Sequence, residues 1–131
     1  MGMEQAGRQL RILLVDDDVE VNDALAMLLR RDGHLVSCAP SGQDALDLLA
    51  TNPEIDVVLT DLGMPDVNGW VVARTAKDRS PKLPVGLVTG WGDDEELEDA
   101  VKRGTVDFIL TKPIDRRTLT AALARVNPLA A

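Results

Sequence analysis

Three acidic residues in a row, a lone aspartate, a hydroxyl and an ammonium could do chemistry together in this chain: Asp16-Asp17-Asp18, Asp61, Thr89 and Lys112. Asp16 and Asp17 offer hard oxygen ligands side by side. These suit Mg²⁺, an ion that takes one or two carboxylates and keeps water at its other positions. Asp61 would add a third oxygen. Three packed carboxylates repel, so a bound cation would offset their charge and also neutralise an incoming phosphoryl group. Asp61 could then act as the nucleophile, since an aspartate carboxylate can form an acyl phosphate. Lys112 supplies a point charge for phosphoryl oxygens, and the Thr89 hydroxyl can rotate to donate to them. The small Gly63 and Gly90 leave room beside Asp61.

For these residues to meet, the fold must bring distant segments together, and the apolar pattern says how. Each follows a short apolar run: Ile12-Leu13-Leu14-Val15, Ile55 to Thr60, Val85-Gly86-Leu87-Val88 and Phe108-Ile109-Leu110-Thr111. Such runs read as buried parallel strands, and open α/β sheets bind ligands outside the carboxyl ends of their strands. A further strand is expected over 35–39. Helical patterns fill the gaps, which predicts a parallel sheet with helices on both faces. The first helix places Val21, Ala24, Leu25, Leu28 and Leu29 on its inner face, and Gly33 closes it. Ser41, with Asp44 three residues on, caps the second, which ends near Asn52-Pro53. Residues 61–69 form the longest loop and delay the third helix until about Trp70. Gly90 and Gly92 frame Trp91, an acidic helix follows from about Asp93 to Arg103, and the final helix turns Leu119, Ala122, Leu123 and Val126 inward.

Composition narrows the class. The 131 residues suffice for one domain with a core. No apolar run approaches the ~20 residues of a membrane span. A formal charge of −8 argues against direct nucleic-acid binding. Cys38 is the only cysteine, so no intrachain disulfide can form. Residues 1–10 lack the features of a signal peptide, which points to the cytoplasm, and they read as a flexible leader. The domain proper is expected over 11–127, with a short tail at 128–131.

In order and spacing these residues resemble the receiver domain of two-component response regulators. Asp17 to Asp61 spans 44 positions, Asp61 to Thr89 28, and Asp61 to Lys112 51. The family pattern has an acidic pair after strand one, the phosphoacceptor Asp after strand three, Thr or Ser after strand four, and Lys-Pro after strand five. The resemblance covers roughly residues 10 to 127. It implies a flavodoxin-like doubly wound sheet of order 2-1-3-4-5 with five helices. It further implies that Asp16 and Asp17 are metal acids, that Asp61 is the phosphoacceptor, and that Thr89 is the switch hydroxyl. Lys112 would clamp the phosphoryl group. The backbone carbonyl of Gly63 would be a further Mg²⁺ ligand, and Lys112-Pro113 a cis peptide. Partners would be a sensor histidine kinase or histidine phosphotransfer protein and a downstream protein target, the chain being a monomer or weak dimer. Catalysis would extend only to the domain's own phosphorylation and dephosphorylation. The stretches Thr89-Gly90-Trp91-Gly92 and Asp61-Leu62-Gly63-Met64-Pro65 look most like receivers attached to or serving hybrid sensor kinases.

The chain departs from the family pattern where many receivers carry an aromatic three residues before the lysine. Here Ile109 stands, with Phe108 pointing to the other face. A switch through Thr89 and the loop of Gly90, Trp91 and Gly92 is therefore expected instead, with Trp91 as a lid over one side of the pocket. It would be read on the face of the acidic helix, strand five and the final helix. Asp18 reads as the cap of the first helix, His34 and Trp70 as structural. The acidic run from Asp93 to Asp99 reads as a solvated helix start, supported by Glu98–Lys102 and Asp99–Arg103 pairs. Two rival readings are a haloacid-dehalogenase-like phosphatase and a receiver-like module that signals without phosphate. The phosphatase normally wants a second Asp where Gly63 stands.

Overall fold

The computed structural model describes residues 9–52, 54–90 and 94–126. Strands and helices alternate: β1 Arg11–Val15, α1 Val19–Arg31, β2 Leu35–Ala39, α2 Gly42–Thr51, β3 Val57–Asp61, α3 Gly69–Arg79, β4 Val85–Thr89, α4 Glu95–Arg103, β5 Phe108–Thr111 and α5 Arg116–Val126. All strand pairs are parallel and the sheet order is β2-β1-β3-β4-β5, as expected. The described part of the leader ends in Leu10, which is not loose. It is buried beside Ile12 and Leu29. The rest of the leader and the tail lie outside the described residues. Among those described, no helix is long and apolar enough to cross a membrane.

Strand alternation divides the core into two layers, because successive side chains leave a strand on opposite faces. Leu13, Val15, Val58, Val85 and Leu87 face one way and pack with Ala45, Leu49, Val72, Ala76, Leu97 and Ala100 of α2, α3 and α4. Ile12, Leu14, Val57, Leu59, Val88 and Leu110 face the other way, against Leu25, Leu29, Leu119 and Leu123 of α1 and α5. Each fully buried leucine or valine contributes about 1.5–3 kcal/mol over leaving it in water. Strands β3 and β4 are buried along their whole length, whereas β2 lies at the sheet edge and exposes Leu35 and Cys38. Phe108 and Ile109 diverge as their alternation requires, Phe108 into the α1/α5 layer and Ile109 against the other. Gly86 pairs with Phe108 across the β4–β5 ladder, and a methyl group there would collide with the phenyl ring.

Several boundaries differ from the sequence reading. Strand β3 begins at Val57, and Asp61 is its last residue. Asp56, placed in that run, instead accepts the Arg11 N–H at 2.7 Å. The α1 face is also corrected. Ala24 is exposed, and the buried stripe is Asn22, Leu25, Ala26 and Leu29. Helix α4 starts at Glu95 behind Asp94, whose carboxylate accepts the Glu96 N–H at 2.7 Å. Of the two expected pairs in that helix, Asp99–Arg103 forms at 2.9 Å. Glu98–Lys102 is not among the ion pairs of the described residues. The helix ends on Gly104 at φ 79°, a left-handed conformation that glycine adopts without a Cβ penalty.

Candidate functional site

The carboxyl ends of the strands are tied to one another by backbone bonds that run past the regular ladder. Asp16 N–H donates to the Ala39 carbonyl at 3.2 Å, Leu62 N–H to Val88 at 3.2 Å, and Lys112 N–H to Thr89 at 2.8 Å. These bonds fix the stems from which the site residues project. Asp18 caps α1, its Oδ1 accepting from Glu20 at 3.0 Å and Val21 at 3.3 Å. That turns Asp18 away from the cluster, in keeping with the capping role. Its own N–H donates to Asp16 Oδ1 at 2.9 Å and holds that carboxylate in place. Behind Asp61, Gly69 opens α3 so close to the Asp61 carbonyl that any Cβ there would collide with it. Asn68 caps the helix by accepting from Trp70 at 2.9 Å and Val71 at 3.2 Å.

On this scaffold Asp16, Asp17 and Asp61 offer carboxylate oxygens that all lie within 4.8 Å of one another. Asp16 is 2% exposed and Asp61 9%, whereas Asp17 is exposed. Lys112 reaches in from the end of β5, its Nζ 3.1 Å from Asp16 Oδ2 and 3.4 Å from Asp61 Oδ1. The Lys112–Pro113 peptide is cis, as the resemblance implies. Burial raises the Asp61 pKa above the ordinary carboxylate value, and the Asp16 charge raises it further. Lys112 opposes both, and Asp17 adds a smaller push upward. Burial works against the Lys112 ammonium, but Asp16 and Asp61 outweigh it and hold its pKa above the usual lysine value. Three carboxylates thus crowd together in a partly desolvated place, and the Lys112 ammonium pairs with two of them, Asp16 and Asp61. Their hard oxygens and unbalanced charge fit a small divalent cation.

Thr89 ends β4, next to Asp61 in sheet order, and is buried at 4% exposure. Gly63 stands two residues past Asp61 and is exposed, with open space where a Cβ would be. Gly90 is exposed, and Trp91, Gly92 and Asp93, on which the expected lid rests, lie outside the described residues. His34 is structural: its Nδ1 accepts the Leu10 N–H at 3.0 Å. Trp70 is half-buried against the core. The sequence reading missed Asn22, which lies 3% exposed beneath the site and donates to the carbonyls of Asp16 at 2.8 Å and Ala39 at 3.2 Å. Its helical spacing from Leu25 and Leu29 is the signal that could have found it.

A five-stranded doubly wound sheet whose carboxyl rim gathers three aspartates, a threonine and a lysine defines a receiver-type signalling domain. A family model described as the response regulator receiver domain matches residues 12–124, and the chain belongs to that family. It is 34% identical over 115 residues to the transcriptional regulatory protein AfsQ1 of Streptomyces coelicolor, covering 88% of this chain and 50% of that protein. It is also 34% identical over 122 residues to the response regulator protein PilR of Pseudomonas aeruginosa, covering 90% of this chain and 27% of the relative. The chain thus spans between about a quarter and a half of the curated relatives named here. A receiver domain protein from Clostridium thermocellum superposes with a TM-score of 0.84 at 32% identity, covering 91% of this chain and 94% of the other. An adenylate cyclase structure from Rhodopirellula baltica superposes with a TM-score of 0.85 at 30% identity, over 94% and 90% of the two chains.

Proposed function

We propose that this receiver accepts a phosphoryl group on Asp61 from a phosphohistidine of a sensor kinase or phosphotransfer protein, in a reaction that needs Mg²⁺. The observation that carries this reading is the convergence of Asp16, Asp17 and Asp61 within 4.8 Å, with the Lys112 ammonium against Asp16 and Asp61. Asp16, Asp17, Asp61 and the Gly63 carbonyl would hold the ion, which when bound neutralises charge on the phosphoryl oxygens. An Asp61 carboxylate oxygen attacks phosphorus, a new O–P bond forms as the N–P bond breaks, and the imidazole leaves with the electron pair and takes up a proton. Lys112, already held between Asp16 and Asp61, offers its ammonium to the transferred group. Thr89 donates its hydroxyl to a phosphoryl oxygen in the modified state alone, which is the differential interaction a switch requires.

With Ile109 where an aromatic lever would stand, the response runs through Thr89, Gly90 and the segment beyond toward α4, and a target protein reads the face of α4, β5 and α5. The reading is tested by incubating the chain with acetyl phosphate and Mg²⁺ and analysing it by mass spectrometry. One acid-stable, base-labile phosphoryl group is expected on Asp61, absent in Asp61→Asn and absent with EDTA. Modification that persists in Asp61→Asn or without a divalent ion would overturn the assignment.

A further inference from the structure

Asn22 is a polar side chain buried at 3% exposure on the inner face of α1, where its neighbours in the stripe are Leu25, Ala26 and Leu29. Its Nδ2 donates to two backbone carbonyls, that of Asp16 at 2.8 Å and that of Ala39 at 3.2 Å. The Ala39 carbonyl also accepts the Asp16 N–H at 3.2 Å. Asn22 Oδ1 has no hydrogen-bond partner among the described residues. A buried acceptor without a donor is costly, and a leucine, with the same branched skeleton, would carry none but would take the amide donor from the Asp16 carbonyl. Packing alone therefore does not account for an asparagine at this position.

What the amide does accomplish is specific to the site. The Asp16 carbonyl belongs to the peptide unit that joins Asp16 to Asp17, so gripping it fixes the plane from which both carboxylates hang. The same amide ties this plane to the end of β2, an edge strand with a neighbour on one side only. Asn22 is also neutral and adds no charge to a cluster already crowded with anions. Residues that orient metal ligands from behind commonly change affinity by about 10–100-fold when removed.

We infer that Asn22 is a positioning residue that presets Asp16 and Asp17 for a divalent cation. This inference rests on the reading of Asp16 and Asp17 as Mg²⁺ ligands. The experiment is calorimetric titration of Mg²⁺ into the full chain as wild type, Asn22→Leu, Asn22→Ala and Asp17→Asn, with melting temperatures recorded in EDTA. Asn22→Leu is expected to weaken Mg²⁺ binding about tenfold while melting in EDTA close to the wild-type temperature, because it removes the orphaned Oδ1 but takes the amide donor from the Asp16 carbonyl. Asn22→Ala should show the same loss of affinity with a lower melting temperature. An affinity within about twofold of wild type in both variants overturns the positioning role, and a lowered melting temperature alone would mark Asn22 as structural. Should neither variant fold, the side-chain amide signals of Asn22 in the wild type decide: they should shift along the Mg²⁺ titration with the same midpoint as the binding isotherm, and invariant signals overturn the inference. If Asp17→Asn binds Mg²⁺ as tightly as wild type, the metal lies elsewhere and the underlying reading falls with the inference. If Asp17→Asn loses binding while both Asn22 variants keep it, only the inference falls.

Discussion

The two rims of the sheet use the same kinds of charged residue in opposite ways. At the amino rim the acidic residues beside the strand starts have found answering groups. Asp107 accepts from Lys77 Nζ at 2.7 Å and from the Val85 N–H at 2.7 Å, Asp56 accepts the Arg11 N–H, and Arg11 lies 3.5 Å from Glu54. At the carboxyl rim Asp16, Asp17 and Asp61 crowd together, and among the described residues Lys112 is the cation paired with them, through Asp16 and Asp61. A closed pair contributes stability, whereas crowded like charges lower it until something positive arrives. The fold thus spends its electrostatics on anchoring strand starts at one rim and holds unbalanced charge at the other, where the phosphoryl chemistry is proposed.

Breaking the amino rim should have the largest effect on stability. Asp107→Ala leaves the Lys77 ammonium and the Val85 N–H without their shared acceptor, and should destabilise the domain by about 2 kcal/mol in denaturant unfolding. It should leave phosphorylation of Asp61 by acetyl phosphate intact. A loss below about 0.5 kcal/mol would remove the contrast between the rims.

The carboxyl rim should respond to the ion instead. Mg²⁺ at ten times its dissociation constant should stabilise the wild type by about 1.4 kcal/mol, since binding to the native state alone shifts the unfolding equilibrium. Asp17→Asn should keep the fold and lose most of that gain. An undiminished response in that variant would place the metal elsewhere.

How much of this was legible in the chain depends on the range of the interaction. Asp16, Asp17, Asp61, Thr89 and Lys112 could be found because each closes an apolar run, and a parallel sheet brings such ends together whatever their distance in sequence. The caps at Asp18 and Ser41 could be found because they act within three residues; Asn68 does so too, at the start of α3, but it is obscured by the turn-forming Gly63, Pro65 and Gly69 around it. Asn22 escaped for a different reason: a periodicity built from apolar residues skips a buried amide and slides the inner face onto Ala24. The Lys77–Asp107 pair joins residues 30 positions apart and has no local pattern at all.

The smallest effect expected at the amino rim is a pH response. Burial holds the His34 pKa below its ordinary 6.5, against the opposing pull of Asp32. The folded chain therefore binds the proton less well than the unfolded chain. The stability contribution is complete above the unfolded value and is lost as pH falls through the folded one. Protonation would also remove the acceptor that Nδ1 offers Leu10. Relative to His34→Asn, which cannot titrate, the wild type should lose a small part of its stability as pH falls below about 6.5. Parallel stability profiles would show that His34 plays no such part.

The contrast between the rims is tested most directly by the unfolding free energy of wild type and Asp61→Asn, each in EDTA and in saturating Mg²⁺ at neutral pH. The Asp61 pKa is raised above its ordinary 3.8. Its stability contribution is thus present below the unfolded value and lost as pH rises through the folded one, so the ionised group is a net cost to the apo fold at neutral pH. The neutral asparagine should make the apo domain more stable by up to about 1 kcal/mol, and Mg²⁺ should stabilise the wild type more than the variant, narrowing or reversing that order. An Asp61→Asn domain that is less stable in EDTA, or that gains as much from Mg²⁺ as the wild type, would contradict the account of a rim held in repulsion for a cation.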